Sequence, residues 1–136
     1  MNFVLDDKLA QDTFPLGDLV LSRVLLMNDA RFDWLILAPR RPRLVELFDL
    51  DARGRALLME EIAMVGEALR RQVGVEKINV GALGNIVRQL HVHVVARREG
   101  DAAWPGPAWG FGAAQRYEDG AAAAKLEELR AALRLG

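Results

Sequence analysis

The sequence predicts an α+β fold in which an antiparallel sheet packs against one long helix and a C-terminal helix. Apolar runs of strand length come in two adjacent pairs, and each pair is followed by a segment with helical periodicity. This order favours hairpins over the strict strand–helix alternation of a doubly wound parallel sheet. The 136 residues are expected to form a single domain over residues 1–136, with a core at about 19–101 and a C-terminal loop and helix at 102–136.

The composition is that of a folded domain and excludes several function classes. Hydrophobic residues make up 51% of the chain and charged residues 27%, which suffices for a packed core. The net charge of −1 argues against a nucleic-acid partner, and the lack of cysteine excludes disulfides and cysteine nucleophiles. No secretory signal or membrane-spanning run is recognisable, so we expect a cytoplasmic protein with no membrane partner.

The first pair of apolar runs predicts a hairpin. Residues 19–27 (LVLSRVLLM) and 32–38 (FDWLILA) have the length and apolar character of buried strands. Residues 28–31 (NDAR) form a turn, because Asn and Asp tolerate turn dihedral angles. Pro39 and Pro42 end the hairpin, since proline cannot donate to a ladder.

The clearest helix is predicted over residues 51–73. Asp49 or Asp51 can cap its start, and Gly74 follows its end. Apolar residues recur at spacings of three and four and form one stripe: Leu58, Ile62, Val65, Leu69 and Val73.

The second half of the chain predicts another strand pair and another helix. Residues 77–81 and 87–96 read as strands, joined by a turn with two glycines at 81–85. Residues 97–120 carry prolines, glycines and two tryptophans and are expected to form an ordered loop. Residues 121–135 predict a helix. One of its faces carries Ala122, Leu126, Leu129 and Leu133.

The chain contains only two histidines, and they stand two residues apart. In a strand, residues at this spacing point to the same face, so Gln89, His91 and His93 are expected to line one face together. The opposite face is apolar and is expected to pack against a helix: Leu90, Val92 and Val94.

Three interpretations of this histidine pair remain open from the residues alone. Each ring can be a partly buried side chain satisfied by a neighbour. The His-x-His spacing can present two imidazoles to zinc, although no Asp or Glu stands nearby in sequence as a third ligand. The pair can also perform nucleophilic or acid–base chemistry, because imidazole titrates near neutral pH.

Residues 89–95 (QLHVHVV) resemble the signature of the histidine triad (HIT) family, in which three histidines alternate with apolar residues. The surrounding segments agree with this resemblance: residues 25–28 and 35–42 in the first hairpin, 79–81 and 84–87 before the triad, and 97–101 after it. The resemblance implies a small antiparallel sheet with flanking helices, usually paired as a homodimer. It also implies nucleotide binding and the hydrolysis or transfer of nucleoside monophosphates, with no cofactor or metal required.

The resemblance assigns catalytic roles to three residues. His91 matches the middle triad histidine, the nucleophile that attacks an α-phosphorus and holds the nucleotidyl group. His93 matches the third histidine, which donates to a phosphate oxygen. Gln89 stands at the first triad position, where it can hydrogen-bond but cannot become cationic. Substrates of the dinucleoside polyphosphate or nucleoside phosphoramidate type are implied. The alternative is a nucleotide-binding module without catalytic activity.

The same resemblance gives a set of candidate nucleotide contacts: Asn28, Asp29, Asn79, Gly84, Asn85, Ile86 and Val87. Asn85 replaces the family's usual Gln and can equally be a turn residue. Asn28 can be a plain turn residue, and Asn79 can make a hydrogen bond at a strand end. The loop at 104–111 can stack on a base through its tryptophans or simply pack rigidly on the core. Arg97 and Arg98 lie close enough in sequence to attract a polyphosphate.

Overall fold

The computed structural model describes residues 2–135, which contain a five-stranded antiparallel sheet and three α-helices. The strand order is β1-β2-β3-β5-β4. The strands are β1 (Thr13–Asp18), β2 (Ser22–Met27), β3 (Asp33–Pro39), β4 (Lys77–Gly81) and β5 (Val92–Arg97). The helices are α1 (Asp7–Asp12), α2 (Ala52–Arg70) and α3 (Ala121–Leu133), and a 3-10 turn spans Leu47–Asp49. The predicted α+β class is confirmed.

The predicted first hairpin is β2 and β3, paired antiparallel with Leu25 opposite Ile36. Strand β2 begins at Ser22 and not at residue 19, because the Leu19 amide donates to the Ser22 carbonyl in a tight turn after β1. Strand β3 spans Asp33–Pro39, shifted by one residue from the predicted range 32–38.

Helix α2 is shorter than the predicted range. The Asp51 carboxylate accepts the Gly54 amide at 2.7 Å and caps its start, whereas the helix ends at Arg70. Three members of the predicted stripe are buried and one is partly buried, but Val73 lies beyond the helix and is 92% exposed. The stripe therefore ends at Leu69.

Strand β5 is also shorter than the range 87–96 predicted for it. It pairs with β3 up to Leu37 opposite Val92 and with β4 up to Gly81 opposite His93. Residues 87–91 pair with neither neighbouring strand. The Leu90 amide instead donates to the Leu44 carbonyl, in the connection that leads to α2.

The two faces of the sheet are covered differently. Helices α2 and α3 pack on one face, where Val94 joins a core with Val65, Leu69 and Leu129. This confirms the expected apolar face of β5. The other face is covered by α1 and by the loop between β5 and α3, and it carries the histidines. No helix in residues 2–135 is long and apolar enough to cross a membrane.

Candidate active site

The two histidines lie together where β5 begins. His91 immediately precedes the strand and His93 lies on it, and both side chains are buried. Their ring centroids are 5.0 Å apart, with the ring planes inclined by 67°. The structure therefore brings the two imidazoles into direct contact, as the spacing predicts.

The Nδ1 atom of His91 lies 2.6 Å from the backbone carbonyl oxygen of Gln89. A carbonyl oxygen can only accept a hydrogen bond, so Nδ1 donates and carries the proton. In neutral His91 the lone pair is therefore on Nε2. This is the protonation state that a nucleophilic imidazole requires.

His93 has the opposite arrangement. The indole nitrogen of Trp34 lies 3.0 Å from His93 Nδ1, and an indole N–H can only donate. His93 Nδ1 is therefore the acceptor, and the proton of the neutral ring is on Nε2. His93 can offer this Nε2–H to an oxygen of a bound phosphate.

The environment of His93 keeps its ring neutral. Burial, reinforced by the neighbouring His91, lowers the pKa of His93 to about 4. Above that pH the ring is uncharged, and its Nε2 stays a hydrogen-bond donor. His93 can thus contribute a fixed dipole to the site.

Both histidines border a cavity of about 400 Å³, within the range of small-molecule sites. Its lining combines apolar side chains with a few polar groups: Lys8, Leu9, Asp12, Met27, Leu83, Gly84, Asn85, Ile86, Val87, His91, His93, Trp109 and Gly110. Four predicted nucleotide contacts, residues 84–87, therefore lie together with both histidines.

Gln89, like His91, lies before β5, and unlike the two histidines it does not line the cavity of about 400 Å³. Its side-chain oxygen accepts the Asp6 amide at 2.8 Å, and its side-chain nitrogen donates to the Val4 carbonyl at 2.8 Å. Both ends of the amide are thus bound to the N-terminal segment. Gln89 ties this segment, and α1 after it, beside the cavity.

The other three predicted contacts do not line this cavity. The Asn28 side-chain oxygen accepts the Tyr117 amide, and that of Asn79 accepts from the Arg97 guanidinium. Asp29 is buried in an ion pair with Arg31. Burial works to raise the pKa of Asp29, but hydrogen bonds from Arg31 and Gln115 hold the pKa below its usual value.

The two tryptophans of the loop at residues 104–111 lie in different surroundings. Trp109 borders the cavity and packs edge-on against His93, with ring centroids 5.8 Å apart. Its ring lies so close to Gly81 that a Cβ there would be 3.2 Å from it. Trp104 instead packs on the Arg97 guanidinium, 5.6 Å from the ring centroid.

Arg97 and Arg98 do not line the cavity. Arg97 is 2% exposed and pairs with Asp101 at 2.8 Å, while Arg98 pairs with Asp33 at 3.0 Å. Both charges are already matched by carboxylates of the fold. Their proximity to the histidines in sequence does not bring them to the cavity.

Sequence reasoning missed two contributors to the site. The sequence predicts Trp34 only as part of a strand. In the structure Ile36, two residues further on, lies opposite His93. Trp34 is therefore diagonal to His93 across the two strands. Because an indole N–H can only donate, a tryptophan at this position would predict the hydrogen bond to His93 once the β3–β5 register is known. Lys8 lies on α1, which the sequence did not predict, and its ammonium pairs with Asp12 at 2.9 Å.

Within residues 2–135, no three histidine, aspartate or glutamate side chains converge as ligands of a metal ion would. The site chemistry that these residues offer is that of two imidazoles whose Nδ1 atoms have opposite hydrogen-bond roles, donor in His91 and acceptor in His93. With Nδ1 donating in His91 and accepting in His93, the neutral rings present a lone pair and a hydrogen-bond donor beside a cavity of small-molecule size.

Comparison with known proteins identifies the family of this chain. Residues 8–100 match the sequence model of the HIT domain. No match was found among curated proteins. The matched residues extend from α1 through β5 and include both histidines.

Solved structures of high similarity cover nearly the whole chain. A histidine triad protein from Bradyrhizobium japonicum is 46% identical, with a TM-score of 0.90 over 98% of this chain and 97% of that one. A histidine triad protein from Sinorhizobium meliloti is 48% identical, with a TM-score of 0.89 over 97% and 95%. One from Marinobacter aquaeolei is 39% identical, with a TM-score of 0.95 over 98% of both chains.

Proposed function

The chain belongs to the histidine triad (HIT) family, and from this membership we propose that it is a nucleotide-binding hydrolase or nucleotidyl transferase. Its substrates are nucleoside phosphates of the dinucleoside polyphosphate or phosphoramidate type. The reaction passes through a covalent nucleotidyl-His91. The observation that carries this proposal is the hydrogen bond from His91 Nδ1 to the Gln89 carbonyl oxygen. This bond leaves the Nε2 lone pair available beside the cavity.

The first step is displacement at the α-phosphorus. The Nε2 lone pair of His91 forms a bond to phosphorus, and the bond from phosphorus to the leaving group breaks with its electron pair. The Gln89 carbonyl stabilises the positive charge that develops on the ring, because it accepts the Nδ1–H. The Nε2–H of His93 is available to a non-bridging phosphate oxygen.

The second step releases the nucleotide. A water molecule attacks phosphorus, the N–P bond breaks, and its electron pair returns to Nε2 of His91. The nucleoside monophosphate leaves with the oxygen of that water, whose proton passes to solvent. Transfer occurs instead when another acceptor takes the place of water. No metal ion is required, because hydrogen-bond donors of the protein, such as the Nε2–H of His93, stabilise the negative charge on the phosphoryl oxygens.

Steady-state kinetics with variants test this function. We expect His91→Ala to reduce hydrolysis by at least roughly a thousand-fold, because it removes the nucleophile. His93→Gln retains the nucleophile and is expected to cost roughly ten-fold to a hundred-fold, the effect of one phosphate donor. Hydrolysis by His91→Ala at a rate near that of the wild type would reject His91 as the nucleophile.

Gln89 favours a second candidate, a nucleotide-binding module without turnover. No ionisable group stands at the first triad position, and both ends of the Gln89 side-chain amide are hydrogen-bonded to the N-terminal segment. This candidate predicts that nucleoside monophosphates bind by calorimetry while no substrate is hydrolysed. Measurable hydrolysis by the wild-type protein would exclude it.

The assembly that fits these surfaces is a homodimer. Strand β4 is an edge strand, so one side of its backbone has no partner strand within residues 2–135. Beside it lies an apolar hollow of about 380 Å³ lined by Met59, Ile62 and Val80, among others. A second copy of the chain would cover both features. Dimerisation also agrees with the usual state of the family.

A further inference from the structure

His91 borders two cavities. Besides the cavity of about 400 Å³, it borders a smaller one of about 200 Å³, which lies between the 3-10 turn and the loop before β5. Arg88 and Phe48 line the smaller cavity only, whereas Gly84 lines both. The proposed nucleophile thus stands at the junction of a larger compartment and a smaller one.

The guanidinium of Arg88 differs from that of most arginines in this fold. Arg31, Arg97 and Arg98 are each paired with a carboxylate. The Arg88 guanidinium makes no hydrogen bond or ion pair with any other group in residues 2–135. Arg88 is exposed where it lines the smaller cavity, so its guanidinium is free to bind a phosphate through two parallel hydrogen bonds.

We propose that the smaller cavity is the subsite for the leaving group and that it selects an anionic one, such as the second phosphorylated half of a dinucleoside polyphosphate. This inference rests on the proposed function and extends it to the choice of substrate. Arg88 binds the departing phosphate. Phe48 is 75% exposed at the same cavity and offers an aromatic face to the second base.

The size of the cavity agrees with this assignment. Its volume of about 200 Å³ is below the roughly 300–1,000 Å³ of pockets that enclose a whole small molecule. It therefore holds the phosphates nearest the reacting centre, while the second nucleoside remains at the rim beside Phe48. The first nucleoside occupies the larger cavity, among side chains such as Met27 and Ile86.

The chemistry of the leaving group in the first step also favours an anionic leaving group. When His91 Nε2 bonds to the α-phosphorus, the bond from phosphorus to the bridging oxygen breaks, and that oxygen keeps the electron pair. A phosphate leaves as an anion without taking up a proton, and Arg88 stabilises its charge. An amine must be protonated before it leaves, and Gln89, at the border of this cavity, has no proton to transfer.

Glu46 is the acidic residue that lines the same cavity. Its backbone N–H donates to the Asp49 carboxylate at 2.8 Å, and its backbone carbonyl accepts the Asp49 amide at 3.0 Å. The Glu46 carboxylate would also attract a cationic amine. The measurements must therefore compare anionic and amine leaving groups directly.

Equilibrium binding in a His91→Ala background tests the subsite without turnover. The probes are AMP, which fills only the larger cavity, and diadenosine tetraphosphate, which extends into both. We expect Arg88→Gln to weaken tetraphosphate binding about ten-fold, the loss of one charge-assisted contact, and to change AMP binding less than about two-fold. Phe48→Ala should weaken the tetraphosphate alone. Arg53→Gln removes the same charge at an exposed position outside both cavities and is the matched control.

The kinetic arm uses the chain with His91 intact. We expect Arg88→Gln to lower the ratio of kcat/KM for the tetraphosphate to that for an AMP phosphoramidate about ten-fold. The subsite would be overturned if Arg88→Gln weakened the binding of AMP and of the tetraphosphate equally, or weakened neither. The same loss of tetraphosphate binding in Arg53→Gln would also overturn it. Selective tetraphosphate binding without turnover would support the subsite and reject the enzymatic function. Failure of all nucleotides to bind would reject both.

Discussion

Two identical side chains receive different roles from the partners of their Nδ1 atoms. The Gln89 carbonyl accepts from His91, which leaves a lone pair on Nε2. The Trp34 indole donates to His93, which places the proton on Nε2. A nucleophile and a hydrogen-bond donor thus stand side by side, although both are histidine. A backbone oxygen and a tryptophan on the neighbouring strand β3 determine this difference.

The role of Trp34 can be tested by removing its N–H. In Trp34→Phe, the Nδ1 of His93 loses its donor, so we expect the ring to populate both neutral forms and kcat to fall about ten-fold. Nitrogen-15 NMR of the imidazoles reports the protonation of each nitrogen. Trp104→Phe is the control, because Trp104 packs on Arg97 and does not contact a histidine. Unchanged nitrogen shifts in Trp34→Phe would show that the indole does not set the protonation of His93.

The lowered pKa of His93 also predicts a pH dependence of stability. In the unfolded chain this ring gains a proton near pH 6.5, but in the folded chain only near pH 4. The unfolded state therefore binds more protons between these values, and stability falls as the pH drops from 6.5 toward 4. The contribution of this group is about 3 kcal/mol, measurable by denaturant unfolding across this pH range.

His93→Gln removes this contribution. We expect its free energy of unfolding to depend less steeply on pH between 4 and 6.5 than that of the wild type, while carboxylates elsewhere act equally on both proteins. Identical slopes for the two proteins would contradict a buried, neutral His93.

Residue spacing was sufficient to find the histidines but not their surroundings. Two histidines at a spacing of two predicted a shared site, and the structure places them in contact. Residues 84–87 line the cavity as expected. The predicted contacts of Asn28 and Asn79 could not be decided from sequence, because the C-terminal segment and Arg97 occupy their side-chain oxygens. These partners lie far away along the chain.

At the scale of elements, the N-terminal segment forms one wall of the site. Gln89 binds two backbone groups of this segment, and α1 after it contributes Lys8 and Leu9 to the cavity. We expect Gln89→Ala to destabilise this segment by about 1–2 kcal/mol and to speed hydrogen exchange at the Asp6 amide.

Gln72→Ala is the control for this experiment, since its amide makes one long hydrogen bond of 3.5 Å within its own helical region. Hydrogen exchange followed by mass spectrometry over residues 4–12 would compare the two variants with the wild type. If exchange in this segment were unchanged in Gln89→Ala, Gln89 would not be what holds it in place.

Strand β1 could not be predicted because its residues are ones that local rules disfavour in a strand. Its tertiary contacts outweigh these local preferences. Strand β1 contains Pro15 and Gly17, both of which argue against a strand. It is an edge strand, and its register shifts between these two residues, so neither the missing proline donor nor the bulge disrupts the sheet. By contrast, the apolar alternation of β2 and β3 and the stripe of α2 agree with their contacts, and these elements could be predicted.

At the scale of the whole molecule, the two faces of the sheet have separate functions. Helices α2 and α3 bury the structural core on one face, and the histidines lie on the other. The apolar hollow beside β4 remains uncovered. The proposed dimer covers this hollow and leaves the nucleotide cavity to each protomer.

A charge placed in the hollow tests the dimer. We expect the wild-type chain to be a dimer by light scattering and Met59→Lys to shift it to a monomer, because the lysine charge would be buried at the interface. Met64→Lys, an exposed position on the same helix outside the hollow, should remain dimeric. A monomeric wild-type protein at micromolar concentration would contradict this assembly.

The most direct measurement is detection of the covalent intermediate. The protein is mixed with a dinucleoside polyphosphate, quenched within one turnover and analysed by intact mass, and the modified peptide is then sequenced. We expect a mass increase of one nucleotidyl group, carried by His91 in the wild type and in His93→Gln and missing in His91→Ala. Hydrolysis without any such adduct, or an adduct on another residue, would contradict His91 as the nucleophile.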